Sequence, residues 1–144
     1  MVKRFGTVMF SCVVLGVLAA TTGCAAASAR PLETVQAAVR EAPSGLDEVR
    51  VDEGKDGLSR YVLLVLITSG DELPADALAE TLQAVGEVLP DEYDSVRVAA
   101  RASSGERLDI AEAVEASGVD GAFMINARMA DIPADAVRSF AGAR

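Results

Sequence analysis

The chain has no histidine and no tryptophan in its 144 residues, and only two cysteines, Cys12 and Cys24. Lack of histidine removes the commonest general base at neutral pH and the commonest zinc ligand. Downstream of Cys24 there is no thiol, so that part can hold no internal disulfide and no cysteine nucleophile. Lysine is scarce as well: after Lys3 there is only Lys55, set in the glycine-containing stretch "DEGKDG" with no framework for a Ser–Lys pair. "GERLDIAE" places a single glycine before a helix and has nothing of the P-loop spacing. After Cys24 the aromatics are Tyr61, Tyr93, Phe123 and Phe140, a poor supply for a sugar-binding cleft. No cofactor or resident metal is implied.

Positive charge is the next shortage. The formal charge is −9, and without Lys3 and Arg4 it becomes −11. Phosphate-backbone binding needs lysine and arginine in excess, so nucleic acid is excluded as a partner. Attraction to anionic lipid through a basic surface is excluded on the same ground. An acidic surface of this kind keeps a small protein soluble and self-repelling.

What is present begins with a segment unlike the rest. Lys3 and Arg4 precede an apolar stretch from Phe5 to Ala20, and Thr21-Thr22-Gly23 leads to Cys24; the next charge is Arg30. A basic start, an apolar middle and small residues at the end form the three-part grammar of an export signal.

The stretch "TTGC" resembles the lipobox of bacterial lipoprotein signal peptides, with Gly23 and Cys24 in their usual places and Thr21 where a large aliphatic residue is common. The resemblance implies that the Cys24 thiol carries a diacylglyceryl group and that cleavage falls just before it. Residues 1–23 are then a signal peptide, 24–30 a flexible tether, and 31–144 a single acidic domain held at the cell membrane on its extracytoplasmic side. One acyl chain binds a bilayer marginally and two bind it stably, at about 0.8 kcal/mol per buried methylene, so the anchor needs no basic patch beside it. Other readings stay open. Ala27-Ser28-Ala29 is itself an A-x-A site, and cleavage before Arg30 would release a soluble secreted protein. The apolar stretch could also remain as an uncut signal anchor, or Cys24 could be an ordinary structural residue.

The remainder alternates between helical and strand periodicity. Leu32, Val35, Val39 and Ala42 predict a helix between Pro31 and Pro43, and Val49 and Val51 a strand over 48–52. "DEGKDG" reads as the turn of a hairpin whose return strand is the apolar run 60–69. Leu78, Leu82, Val85 and Leu89 predict a helix from Pro74 to Pro90. "YDSVRVAARA" alternates strictly, which predicts a strand with one wet face. "LDIAEAVEASG" predicts a short helix with Asp109 and Glu112 as a capping box and Gly118 at its end. "GAFMINAR" is expected as one strand and "IPADAVRSFAGA" as the last helix.

The order α-β-β-α-β-α-β-α predicts an α/β (α+β) fold of two layers, a mixed sheet of about four strands with helices packed on it. Residues 60–102 form the expected βαβ crossover. "LPADAL" at 73–78 recurs as "IPADAV" at 132–137. A duplicated unit would explain this, and so would the suitability of Pro-Ala-Asp for starting any helix.

For function, the loop acids Asp52, Glu53, Asp56, Asp71, Glu72, Asp91, Glu92 and Asp94 read as solvated turn residues, with weak calcium binding at "DEGKDG" or "PDEYD" as the remaining option. Arg97 and Arg101 fall on the wet face of their strand, where they suit a carboxylate or phosphate ligand, or neighbouring acids of the same sheet. Phe123, Met124 and Met129 could be core or an adaptable contact surface, with Asn126 and Arg128 as polar neighbours. The leading expectation is a lipid-anchored cell-envelope protein displaying a non-catalytic interaction module for a protein or envelope partner. The alternative is an extracytoplasmic ligand-binding module for an anionic envelope component, which a concave, arginine-lined face would favour. An acid-type hydrolase would need two carboxylates facing each other across a cleft.

Overall fold

The computed structural model describes residues 30–143. Cys24 with its expected acylation, the signal segment and most of the tether lie outside the described residues. Helix α1 (Pro31–Glu41) opens with proline at its first position, and Val35 and Val39, one turn apart, are buried. Strands β1 (Glu48–Asp56) and β2 (Ser59–Thr68) pair as an antiparallel hairpin. Helix α2 (Ala75–Val88) leads from β2 to β3 (Ser95–Ala102), which pairs with β2 in parallel. Helix α3 (Ala111–Ser117) precedes a second hairpin, β4 (Phe123–Asn126) and β5 (Met129–Pro133), and helix α4 (Ala134–Gly142) follows.

The sheet has five strands in the order β1-β2-β3-β5-β4. β3 is its centre, and on each side lies a hairpin that leads into a helix. β2 runs parallel to β3 and β5 antiparallel to it, so the two hairpin–helix units are related by a half-turn about an axis through β3. The two Pro-Ala-Asp stretches occupy matching places in this arrangement. Pro74 and Pro133 are the N-caps of α2 and α4, Leu73 and Ile132 are buried just before them, and Leu78 and Val137 are buried one turn in.

The alternation of each strand decides where the core lies. Val62, Leu64 and Leu66 on β2, Val96, Val98 and Ala100 on β3, and Ala130 and Ile132 on β5 all point to one face and are buried under the helices. Each such leucine or valine contributes roughly 1.5–3 kcal/mol by leaving water. α2 is the middle of the helical layer, in contact with α1, α3 and α4. Its approach to α4 depends on Gly86, where a Cβ would overlap the Val137 carbonyl and lie 2.7 Å from the Ala141 Cβ. Among the described residues no helix covers the opposite face of the sheet, and its side chains are half-exposed along β2, β3 and β5.

Three expectations need correction. The first strand runs on through Gly54 to Asp56, and the turn is the two-residue loop Gly57-Leu58, with Gly57 at φ +62°. Gly54 sits inside the strand because the Tyr61 ring of β2 lies across it, in space a Cβ would occupy. The expected single strand "GAFMINAR" and the residues after it are two strands joined at Ala127-Arg128, so the sheet has five strands instead of about four. The Asn126 side chain accepts the Arg128 N–H at 2.8 Å and makes this turn without glycine or proline. The α3 capping box does not form: the N-cap is Ile110, and Asp109 accepts the Ala111 N–H instead.

Candidate functional site

The uncovered face of the sheet is where side chains meet solvent in an organised way. Tyr61, Leu63, Val65 and Ile67 of β2 alternate outward to it, as do Ser95, Arg97, Ala99 and Arg101 of β3 and Met129 and Asp131 of β5. Arg97 and Arg101, the two basic residues expected on this face, are both on it but do different things.

Arg97 is bound within the protein. Its guanidinium lies 3.9 Å from the centroid of the Tyr61 ring. It donates to Asp56 at 2.9 Å and to Asp131 at 3.3 Å, and Asp131 also accepts the Ser95 hydroxyl at 2.7 Å. The hydrogen bond to Asp56 is the largest cause holding the Arg97 pKa above its usual value. Nearby, on the helix-covered side of the hairpin, Arg60 pairs with Glu53 at 3.1 Å and Glu92 at 2.7 Å. The buried Tyr93 hydroxyl donates to Glu53 at 2.7 Å. That bond holds the Glu53 carboxyl below the usual range, while burial pushes the Tyr93 pKa well up.

Arg101, two strand turns along β3, has a different neighbourhood. The chain leaves β3, turns through "SSGE" and comes back so that Arg107 bridges to Arg101 in antiparallel fashion. Ala102 N–H donates to the Glu106 carbonyl at 2.9 Å and Leu108 N–H to the Ala100 carbonyl at 3.0 Å. The 101/107 pair itself exchanges no hydrogen bond, which is the closer kind of cross-strand pair, with side chains on one face. Two like charges directly opposite each other destabilise a sheet. Arg128, in the β4–β5 turn, closes the third side. Among the described residues none of these three guanidinium groups has an ion pair.

The three arginines rim a hollow of about 510 Å³, a size ordinary for small-molecule sites. Its floor is apolar: Leu63, Val65, Ala99 and Met129. Val65, Ala99 and Met129 stand side by side in one row across three strands, so the small alanine makes a valley between two larger side chains. Asn126 supplies an amide at the rim, and among the described residues no carboxylate lines the hollow.

The remaining expected residues are elsewhere. Asp52, Glu53 and Asp56 are spread along β1, with Glu53 and Asp56 engaged as above, and among the described residues no group of three or more acids could hold a metal ion. Asp71, Glu72, Asp109 and Glu112 do line one hollow near the start of α2, of about 490 Å³, which has no aromatic wall. Met124 packs against the core, Met129 faces the arginine-rimmed hollow, and Phe123 is exposed on the edge strand. Arg107 was not among the expected residues. Its signal was the spacing of Arg101 and Arg107 about a short polar turn containing Gly105, which places them opposite each other. Among the described residues no helix is long and apolar enough to cross a membrane. Comparison with protein-family models, with curated proteins and with solved structures gives no match.

Proposed function

We propose that this chain is a non-catalytic binding module for an anionic envelope component, held outside the cytoplasmic membrane by a lipid on Cys24. The observation that carries the binding reading is the group of three arginines, without ion pairs among the described residues, around an apolar hollow in a domain with twice as many acids as bases after Cys24. So many acids offer ready partners: Arg50 has one and Arg60, Arg97 and Arg138 two each, while among the described residues Arg30 and Arg40 stand without an ion pair at α1, away from the hollow. Guanidinium groups left without carboxylates and gathered on one rim suit an anion brought from outside, because the anion relieves their mutual repulsion and accepts their N–H groups in pairs. The anchor rests on the "TTGC" stretch and on the arithmetic of two acyl chains.

The binding reading is tested by nuclear magnetic resonance titration of the full chain with inorganic phosphate and short carboxylates. Shifts should gather at Arg101, Arg107 and Arg128. Shifts at Arg97 instead, or none in a folded sample, would contradict it. The anchor is tested separately by mass spectrometry of the mature N-terminus, with Cys24→Ala as control; an unmodified peptide beginning at Arg30 would mean a secreted soluble protein.

A second reading, docking of a protein partner, is favoured by Phe123 and Ile125. They are 68% and 44% exposed on the edge strand beside the same face. An anion titration without effect, together with a partner whose binding is lost on Phe123→Ser, would favour that reading.

A further inference from the structure

The hollow is more than a cluster of positive charge, and its shape narrows the class of ligand. Along β3 the uncovered face runs from Arg97 through Ala99 to Arg101. At one end stand the arginines; at the other, the Arg97 guanidinium is taken up by Asp56 and Asp131 and lies against the Tyr61 ring. Between them lies the Ala99 valley, walled by Leu63 and Val65 on β2 and by Met129 on β5. A ligand that matches this has a compact anionic head at the Arg101 end and an apolar tail lying over Ala99. A small anion alone would leave the apolar floor wet. A neutral alkyl chain would leave the arginines repelling one another.

The number of arginines narrows the head. A carboxylate carries one negative charge on two oxygens, and one two-pronged guanidinium contact already engages both oxygens and balances that charge. A phosphate monoester offers three terminal oxygens and a charge of about −1.5 to −2 at neutral pH, enough for three guanidinium groups converging from different sides. Arginine is also the side chain that meets phosphate with paired N–H donors. We infer that the Arg101–Arg107–Arg128 hollow takes a single-chain amphiphile headed by a phosphate monoester, with its alkyl chain lying over Ala99 between Val65 and Met129. This rests on the anion-binding reading above and commits it to a head and a tail.

The test uses the full-length chain in phosphatidylcholine nanodiscs, titrated by calorimetry with decyl phosphate, ethyl phosphate, decanoate and decyl maltoside, with empty discs subtracted. Decyl phosphate should bind at least tenfold more tightly than either ethyl phosphate or decanoate, and decyl maltoside should show no saturable binding. Ala99→Leu fills the valley while leaving the arginines in place; it should bring decyl phosphate down to the affinity of ethyl phosphate and leave ethyl phosphate unchanged. Thermal melts of each variant establish that it is folded, and Met129→Ala, which widens the valley, keeps the test alive if Ala99→Leu does not fold. With Met129→Ala, decyl phosphate should weaken and ethyl phosphate should not. Equal binding of ethyl and decyl phosphate would overturn the tail while sparing the anion-binding reading. Equal binding of decanoate and decyl phosphate would overturn the choice of head, again sparing that reading. No binding of any anion by the folded protein would remove both.

Discussion

The two ends of the uncovered sheet face are built from the same residue type and reach opposite outcomes. At the Arg97 end the guanidinium is engaged on several sides: Asp56 and Asp131 accept its N–H groups, Asp131 also accepts the Ser95 hydroxyl, and the Tyr61 ring lies against it. At the Arg101 end three guanidinium groups stand around an apolar floor with no carboxylate among the lining residues. The positions are only four residues apart on one strand, and both side chains point to the same side. The difference comes from what the neighbouring strands deliver. β5 brings Asp131 close to Arg97, opposite it in register. Beyond Met129 the β4–β5 turn brings Arg128, and the segment after β3 brings Arg107. A matched arginine adds to the stability of the fold, whereas like charges set opposite each other without partners weaken it.

That contrast can be broken in several ways. The largest effect is expected from charge reversal at the open end. Arg101→Glu with Arg107→Glu should weaken decyl phosphate binding by a factor of about a hundred, or roughly 2.7 kcal/mol, read by calorimetry. At the closed end, Arg97→Ala leaves Asp56 and Asp131 without their partner and uncovers the Tyr61 ring. It should cost about 1–2 kcal/mol of stability in a urea titration, with ligand affinity changed less than threefold. Arg128→Ala, on the exposed rim, should weaken binding by only about threefold.

The pH response should also set the Arg101 cluster apart, because the shifted carboxyl and phenol lie on the helix-covered side of the β1–β2 hairpin, away from the uncovered face. Glu53 has its pKa lowered in the folded chain, chiefly by the Tyr93 hydroxyl, with Arg60 and Lys55 adding attraction. Its contribution is therefore full above the ordinary carboxylate pKa of about 4.3 and is lost as pH falls through its lower folded value. Tyr93 has its pKa raised, by burial first and by Glu53 next. Its neutral form contributes fully below about pH 10, and that contribution is lost as pH rises toward the folded value. Melting temperatures of Glu53→Gln should accordingly depend less on pH than those of the unaltered chain on both flanks. The smallest effect expected is that of Arg101→Ala on the shape of that profile, which should be unchanged.

Much of the fold could be read from the sequence because burial writes itself as periodicity. The alternation of 95–102, the apolar run of β2, and the prolines at 31, 43, 74, 90 and 133 placed most elements close to their observed positions. The second hairpin was hidden because its turn is Asn-Ala-Arg, with no glycine or proline to mark it, and because Met124 and Ile125 continue an apolar run across a bulge. The recurrence of Pro-Ala-Asp was visible, but the matching half-turn arrangement about β3 could not be seen until that hairpin was known. At the site, Arg97 and Arg101 were equal in sequence: same strand, same face, same alternation. Their partners are 34 residues or more away for Arg97, and Arg107 and Arg128 reach Arg101 through turns, so only the strand order tells them apart. Arg107 itself was within reach, since a short glycine-containing turn after a strand commonly sends the chain back along it.

An arginine cluster kept for a ligand has no structural duty. Its most direct test is the unfolding free energy of Arg101→Ala with Arg107→Ala in the absence of ligand, measured beside Arg97→Ala in the same urea series. The expected result is a midpoint equal to or above that of the unaltered chain, since two opposed like charges have been removed, with Arg97→Ala clearly below it. A double variant as destabilised as Arg97→Ala would contradict the account, because these arginines would then be holding the fold together instead of awaiting an anion.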